Sequence, residues 1–322
     1  MRIKVRTPSR IHICLIDMNG KIGRVDGGAG IALEEPYIEV TGKESGRVSV
    51  VAEKNVINRE RFKEISRKFS RLTGKKVSLR ILSDYVSHSG LGSGTQISIA
   101  VGQIYSKLFN LNLSVRDIAE IAGRGGTSGI GVSAFEYGGF IVDGGHSIRE
   151  KNNFLPSSAS RAKPPPLIIR HNFPDWKVVI TIPQLSGFSG RDEINLFEKY
   201  CPVPIKDVRE ISHIILMKMI PGVIEENLDD FGDAIWRLQH LGFKKAEVQQ
   251  YGDLITECME SVREITPAVG MSSTGPAIYS ITDSDAKIIA KTCSEYFRDR
   301  GLKSRKIITK AINRGADIEV VE

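Results

Sequence analysis

Apolar and polar residues alternate from the first positions, with Ile3 and Val5 set between Arg2, Lys4 and Arg6, followed by Ile11, Ile13 and Leu15. Tyr37 to Thr41 and Arg47 to Ala52 continue the period of two, so the chain is expected to open with four short strands. The glycine-rich run Asn19 to Gly30 is too flexible for a strand interior and predicts a turn or a loop that approaches a ligand. Over Asn58 to Leu72, Phe62, Ile65, Phe69 and Leu72 recur at three- and four-residue steps, which predicts an amphipathic helix closed by Thr73-Gly74. Period two returns at Val77, Leu79 and Ile81.

Ser83 to Gly94 is a polar loop feeding a helical face of Ile97, Val101, Ile104 and Leu108. Ser114 with Asp117 predicts a capped helix start, and the helix ends near Gly123. A second glycine-rich stretch, Gly125 to Gly131, precedes the apolar Phe140-Ile141-Val142. Pro156 to Pro166 is the one clear break in composition and suggests a domain boundary, giving residues 1–165 and 166–322. Beyond it, Lys177 to Ile182 and Ala277 to Ile281 read as strands. Val223 to His240, Lys244 to Ser261 and Asp285 to Arg298 read as helices. Without a strict βαβ rhythm, the class expected is α+β.

A length of 322 residues allows one large or two medium domains, and 41% apolar with 26% charged residues excludes a disordered chain. No uncharged apolar stretch approaches the roughly 18 to 20 residues of a bilayer span, and the amino terminus lacks a signal-peptide core; a cytoplasmic protein with no membrane partner is expected. Cys14, Cys201, Cys258 and Cys293 form no C-x-x-C pair, which removes a zinc knuckle and a dithiol motif. The balance 45 − 38 = +7 suits a phosphorylated ligand, but the basic residues are scattered and not interleaved with aromatics, so no nucleic-acid partner is expected.

The strongest local signal for chemistry is His88-Ser89-Gly90-Leu91-Gly92-Ser93-Gly94-Thr95-Gln96 at a helix start. Its glycines let the backbone approach an anion, and the free amides and positive end of the helix favour phosphate. A tight turn with Ser93 or Thr95 as a simple cap is the plainer reading. There is no G-x-x-x-x-G-K-[ST], and the dinucleotide fingerprint lacks its preceding strand.

This segment resembles the P-x-x-x-G-L-G-S-S-A loop of the GHMP small-molecule kinases. Thr7-Pro8-Ser9-Arg10-Ile11-His12-Ile13 and Gly270-Met271-Ser272-Ser273-Thr274-Gly275-Pro276 stand where those kinases carry their other two signatures. The resemblance implies a two-domain GHMP-kinase-like fold with the cleft between the domains. Where many such kinases carry the aspartate of an S-G-[IV]-D stretch, which takes the proton from the substrate hydroxyl, this chain has Ser128-Gly129-Ile130-Gly131. A phosphate cradle without that base weakens the kinase reading.

Taken with Leu15-Ile16-Asp17-Met18, Gly23 to Gly30 and Arg124 to Gly131, the whole pattern resembles the archaeal β-ribofuranosylaminobenzene 5′-phosphate synthase family. That resemblance implies condensation of phosphoribosyl pyrophosphate with 4-hydroxybenzoate or 4-aminobenzoate. Carbon dioxide and pyrophosphate are lost, and the product is a C-riboside of methanopterin biosynthesis. It implies Mg2+ accompanying the pyrophosphate, with metal ligands unassigned, and a homodimer acting on small molecules. Holding several anions calls for oriented amides, arginines and a divalent metal. On this reading Arg10, His12, Arg24 and Asp26 are the catalytic candidates. The binding candidates are Ser9, Gly90, Gly92, Ser93, Gly94, Thr95, Gln96, Arg124 and Ser128, with Ser272, Ser273, Thr274 and Gly275 from the last loop. Arg10 and His12 share one strand face, whereas Arg24 and Asp26 could equally be a loop ion pair. Gly187 to Glu193 reads as a lid or a helix cap. The alternatives are an ATP-dependent kinase of the same fold and a non-catalytic nucleotide- or nucleic-acid-binding module.

Overall fold

The computed structural model describes residues 1–188 and 190–321; Ser189, within the expected lid or cap, lies outside the described residues. The chain opens with β1 (Arg2–Asp17), β2 (Arg24–Glu44), β3 (Ser49–Ala52), α1 (Arg59–Thr73) and β4 (Val77–Ser83). Next come α2 (Ser93–Leu108), α3 (Val115–Ala122), α4 (Ile130–Glu136), β5 (Phe140–Asp143), β6 (His146–Ser147) and β7 (Leu167–His171). After β8 (Lys177–Pro183) the chain is mostly helical: α5 (Arg191–Tyr200), α6 (Ile205–Ile214), a π-helical turn over Ile215–Met219, α7 (Ile220–Ile224) and α8 (Leu228–Gln239). It closes with α9 (Gly242–Gln249), α10 (Asp253–Arg263), β9 (Ala268–Met271), β10 (Ile278–Thr282), α11 (Ala286–Asp299), β11 (Ser304–Lys310) and β12 (Asp317–Val321).

Two sheets carry the helices. The first has the path β12-β1-β2-β4-β3, with β5 and β6 added along β2 and β7 beside β5; the second runs β11-β8-β10-β9, antiparallel throughout. Sheet membership changes between β7 and β8 and not at the proline-rich stretch, and β12 returns to pair with β1. One continuous apolar cluster includes residues of both sheets, and Phe140, Phe173, Trp176 and Phe231 interlock at edge-to-face angles where the halves meet. The α2 helix passes through this core, buried from Gln96 to Ser106, so its apolar positions run round all sides instead of one stripe.

The first three of the four expected opening strands belong to two long ones, β1 and β2, and the fourth is the short β3. Strand β1 absorbs the irregularity as register shifts between Thr7 and Ser9 and between His12 and Cys14. The glycine run expected to be a loop is partly strand: Gly28 and Gly30 pair with β1 on one side and β5 on the other. Packing explains this, since a Cβ on Gly30 would lie 2.4 Å from Ile130 Cγ2, and one on Gly28 would lie 3.1 Å from both His12 Nε2 and Ser128 Oγ. These glycines let α4 press onto the sheet. The Ser114–Asp117 capping box forms as expected, with Gly123 left-handed at the other end of α3. The long helices expected over Val223–His240 and Lys244–Ser261 are each broken, at Asn227, which caps α8, and at Gly252, whose φ of +57° no interior helical residue takes.

Candidate active site

Three chain segments far apart in sequence meet at one end of the first sheet. The Ser272 hydroxyl accepts the His12 amide at 3.0 Å and donates to the Gly90 carbonyl at 2.7 Å. The Ser273 amide donates to the His12 carbonyl at 2.9 Å, and the Ala277 amide to that of Ser89 at 3.1 Å. Arg10 of β1 donates from its amide to Leu91 and from its guanidinium to the Gly90 carbonyl. Gly90 requires its lack of a side chain twice over: its φ is +88°, and a Cβ would stand 2.2 Å from the Ser272 carbonyl oxygen. A substitution there would pry the loops apart.

The cleft they line opens to solvent. Its floor is the start of α2, with Gly92 as a left-handed cap and Ser93, Gly94 and Thr95 in the first turn. Around that helix end stand Arg10, Arg61 and Arg124. None of the three takes part in an ion pair among the described residues. Burial lowers Arg10 to about 10, and burial followed by the charge of Arg61 does the same for Arg124, so both remain cationic at neutral pH while only partly hydrated. Three guanidiniums that form no ion pair among the described residues, around a helix amino end, make a site built for a multiply charged anion.

His12 lines the same cleft. Its Nε2 lies 3.1 Å from the Ser128 hydroxyl, whose proton goes to Asp143 Oδ2 at 3.3 Å. With that single hydroxyl proton committed, Ser128 accepts from His12 Nε2–H. Burial first, then Arg10 and Lys244, hold the His12 pKa well below its ordinary value, so the ring is neutral. Asp143 is fully buried, which raises it to about 6 against the two amides, from Gly129 and Gly145, that bond its charged form.

Several expected site residues lie elsewhere. Arg24 is exposed and donates to the Gly144 and Gly145 carbonyls, away from the cleft. Asp26 is buried in a different cluster: it meets His146 Nδ1 at 2.6 Å and Lys151 Nζ at 2.9 Å. Lys151 in turn bonds the Gly126 carbonyl, the Thr127 hydroxyl and the Leu155 carbonyl. This knot ties the loop after α3 to the crossover that carries Ser157 and Ser158 into the cleft. Ser9 is buried with its hydroxyl unbonded, and Gln96 is buried with its amide donating to the Gly131 carbonyl at 2.8 Å. Ser272 and Gly275 shape the last loop from behind, while Ser273 and Thr274 reach the cleft. Pattern reasoning missed Arg61 and Glu247 and placed Glu193 only in a lid or helix cap, because nothing in an amphipathic helix marks which charged residue faces inward. Gly94 gave the one clue to Arg61, whose guanidinium lies 2.5 Å from where a Cβ on that glycine would be.

Residues 57–139 match the family model described as the GHMP kinases N terminal domain. In overall shape the chain is similar to a homoserine kinase from Cytophaga hutchinsonii, with a TM-score of 0.69 at 14% identity over 99% of this chain and 97% of that one. That likeness shows the fold. Over 99% of its length the chain is 58% identical to the whole of a beta-ribofuranosylphenol 5′-phosphate synthase from Archaeoglobus fulgidus. It belongs to the beta-ribofuranosylphenol 5′-phosphate synthase family. A second member, from Methanocaldococcus jannaschii, is 47% identical over 98% of this chain and 99% of its own. The expected GHMP-type α+β fold holds.

Proposed function

We propose that the protein is a decarboxylating pentosyltransferase that joins phosphoribosyl pyrophosphate to 4-hydroxybenzoate and releases carbon dioxide and pyrophosphate. The observation that carries the reading is the set of unpaired arginines around the α2 amino end. As pyrophosphate departs, negative charge grows on it and positive charge on the ribose C1. Arg10, Arg61, Arg124 and the first-turn amides stabilise the former without reorganisation. Neutral His12 adds no further cation beside the oxocarbenium-like carbon. The phenol in the relatives' name favours 4-hydroxybenzoate over 4-aminobenzoate as the acceptor.

Magnesium belongs to this proposal as part of the substrate. No group of three or more His, Cys, Asp or Glu that could hold a metal occurs among the described residues, so the ion would enter on the pyrophosphate, and no step is routed through it. No helix among the described residues is long and apolar enough to cross a membrane. Homodimeric assembly is part of the same proposal and is checked by light scattering. The function itself is tested by incubating the pure protein with phosphoribosyl pyrophosphate, magnesium and 4-hydroxybenzoate and identifying the product by mass spectrometry. The C-riboside 5′-phosphate supports the reading; consumption of ATP with a small alcohol and no riboside refutes it.

A further inference from the structure

The cleft is lined by carboxylates and apolar side chains as well as by arginines. From α5 come Glu193 and Phe197, four residues apart and hence on one face, and both line the cleft. Phe197 packs with Leu15 in one apolar cluster and against Phe243 at 4.5 Å between ring centroids, and Leu15 also lines the cleft. Phe188 also lines the cleft, held edge-on by Tyr251 at 5.3 Å. Glu247 of α9 is nearly fully buried and already paired with Lys244 at 2.5 Å, whereas among the described residues Glu193 has only the Ser158 hydroxyl at 3.4 Å.

We infer that the corner formed by Leu15, Phe188, Phe197 and Glu193 is the subsite for the aromatic acceptor, with Glu193 as the base that takes the proton of its para-hydroxyl. The inference rests on the function proposed above. A flat ring fits the apolar wall, and charge sets its direction: the acceptor carboxylate is repelled by Glu193 and Glu247 and drawn toward Arg10, which leaves the hydroxyl at Glu193. Transfer of the hydroxyl proton to Glu193 pushes the phenolate electrons to the ring carbon bearing the carboxylate. That carbon bonds to the ribose C1 as the bond from C1 to the pyrophosphate oxygen breaks. Cleavage of the carboxylate carbon as carbon dioxide returns its electron pair to the ring, and the product phenolate regains the proton from Glu193. The base missing at Gly131 would have served a different atom, the attacking oxygen of a kinase substrate.

Burial first, and then the charge of Glu247, raise Glu193 to about 7, opposed by the Ser158 hydrogen bond and by Arg10 and Arg124. A base poised near the working pH suits the task. In the wild type, kcat is expected to rise through about pH 7 as Glu193 ionises.

The test is a kcat and KM profile against pH for wild type, Glu193→Gln and Glu193→Asp, with phosphoribosyl pyrophosphate binding measured by calorimetry on each. The expected result is a kcat for 4-hydroxybenzoate lower by about a hundredfold or more in Glu193→Gln. Its loss should shrink as pH nears ~10, where the phenol ionises unaided. Phosphoribosyl pyrophosphate affinity should stay within about threefold, which also shows that the variant is folded, and Glu193→Asp should retain part of the activity. Phe197→Ala should raise KM for the acceptor alone. A Glu193→Gln enzyme with more than half the wild-type kcat and an unchanged pH profile overturns the assignment. So does a loss that is equal at every pH. Failure of the wild type to make the riboside at all would instead overturn the proposed function.

Discussion

Gly131→Asp puts a carboxylate into the cleft lining beside the start of α2, and the structure allows its effect to be sized. Gly131 is the second residue of α4, with no left-handed φ, and a Cβ there would meet the Thr95 side chain at 3.2 to 3.5 Å. That contact is tight but lies against a side chain, and alanine is a better helix former than glycine. Gly131→Ala is therefore expected to fold and serves as the uncharged control. An aspartate there would project into the cleft beside the anion seat at the start of α2. One unit of repulsion across a distance of about 5 Å, at an effective dielectric of ~20, costs about 3 kcal/mol, or about a hundredfold in affinity. Calorimetric titration with phosphoribosyl pyrophosphate should show the alanine variant near wild type and the aspartate variant about a hundredfold weaker. The gap should narrow as salt is added. Equal affinities for the two variants at low salt would show that the phosphates do not bind at this helix end.

Arg61→Ala and Arg124→Ala should each weaken phosphoribosyl pyrophosphate binding by about ten- to a hundredfold, the ~1.5 to 3 kcal/mol of a charged hydrogen bond, with melting temperature little changed. Asp26→Asn should leave kinetics intact only in protein that folds: it strands the buried Lys151 ammonium and is expected to cost about 3 to 5 kcal/mol in urea denaturation. Asp143 supplies a pH signature. Its carboxyl, raised to about 6, binds more protons folded than unfolded between its ordinary value and that pH, so its contribution to stability is fullest in acid and falls as pH rises through this window. The stability of wild type minus that of Asp143→Asn, followed by denaturation, should fall from pH 4 to pH 6; a difference that rises contradicts the burial of that charge.

The parts of this site legible in the sequence were those encoded by short-range constraint. Gly90, Gly92 and Ser93 were visible because a helix start that must approach an anion needs glycines at fixed offsets. The α3 cap was visible because Ser114 and Asp117 satisfy each other locally. Arg10 and His12 followed from strand alternation. Arg24 and Asp26 were misplaced because a glycine-rich run looks the same whether it is a mobile loop or a strand thinned for packing, and Gly28 and Gly30 are the latter. Arg61, Glu193 and Glu247 depend on which helix face the tertiary fold turns inward, which no local pattern carries. The two long helices were split by single residues, Asn227 and Gly252, whose backbone preferences the apolar periodicity outweighed.

The most direct test of the central claim is the stoichiometry of a reaction containing phosphoribosyl pyrophosphate, magnesium and carboxyl-labelled 4-hydroxybenzoate. Labelled carbon dioxide and pyrophosphate should appear in equal amounts, and neither should form when the other substrate is left out. Pyrophosphate released without carbon dioxide, or ATP consumed in place of phosphoribosyl pyrophosphate, would contradict the account.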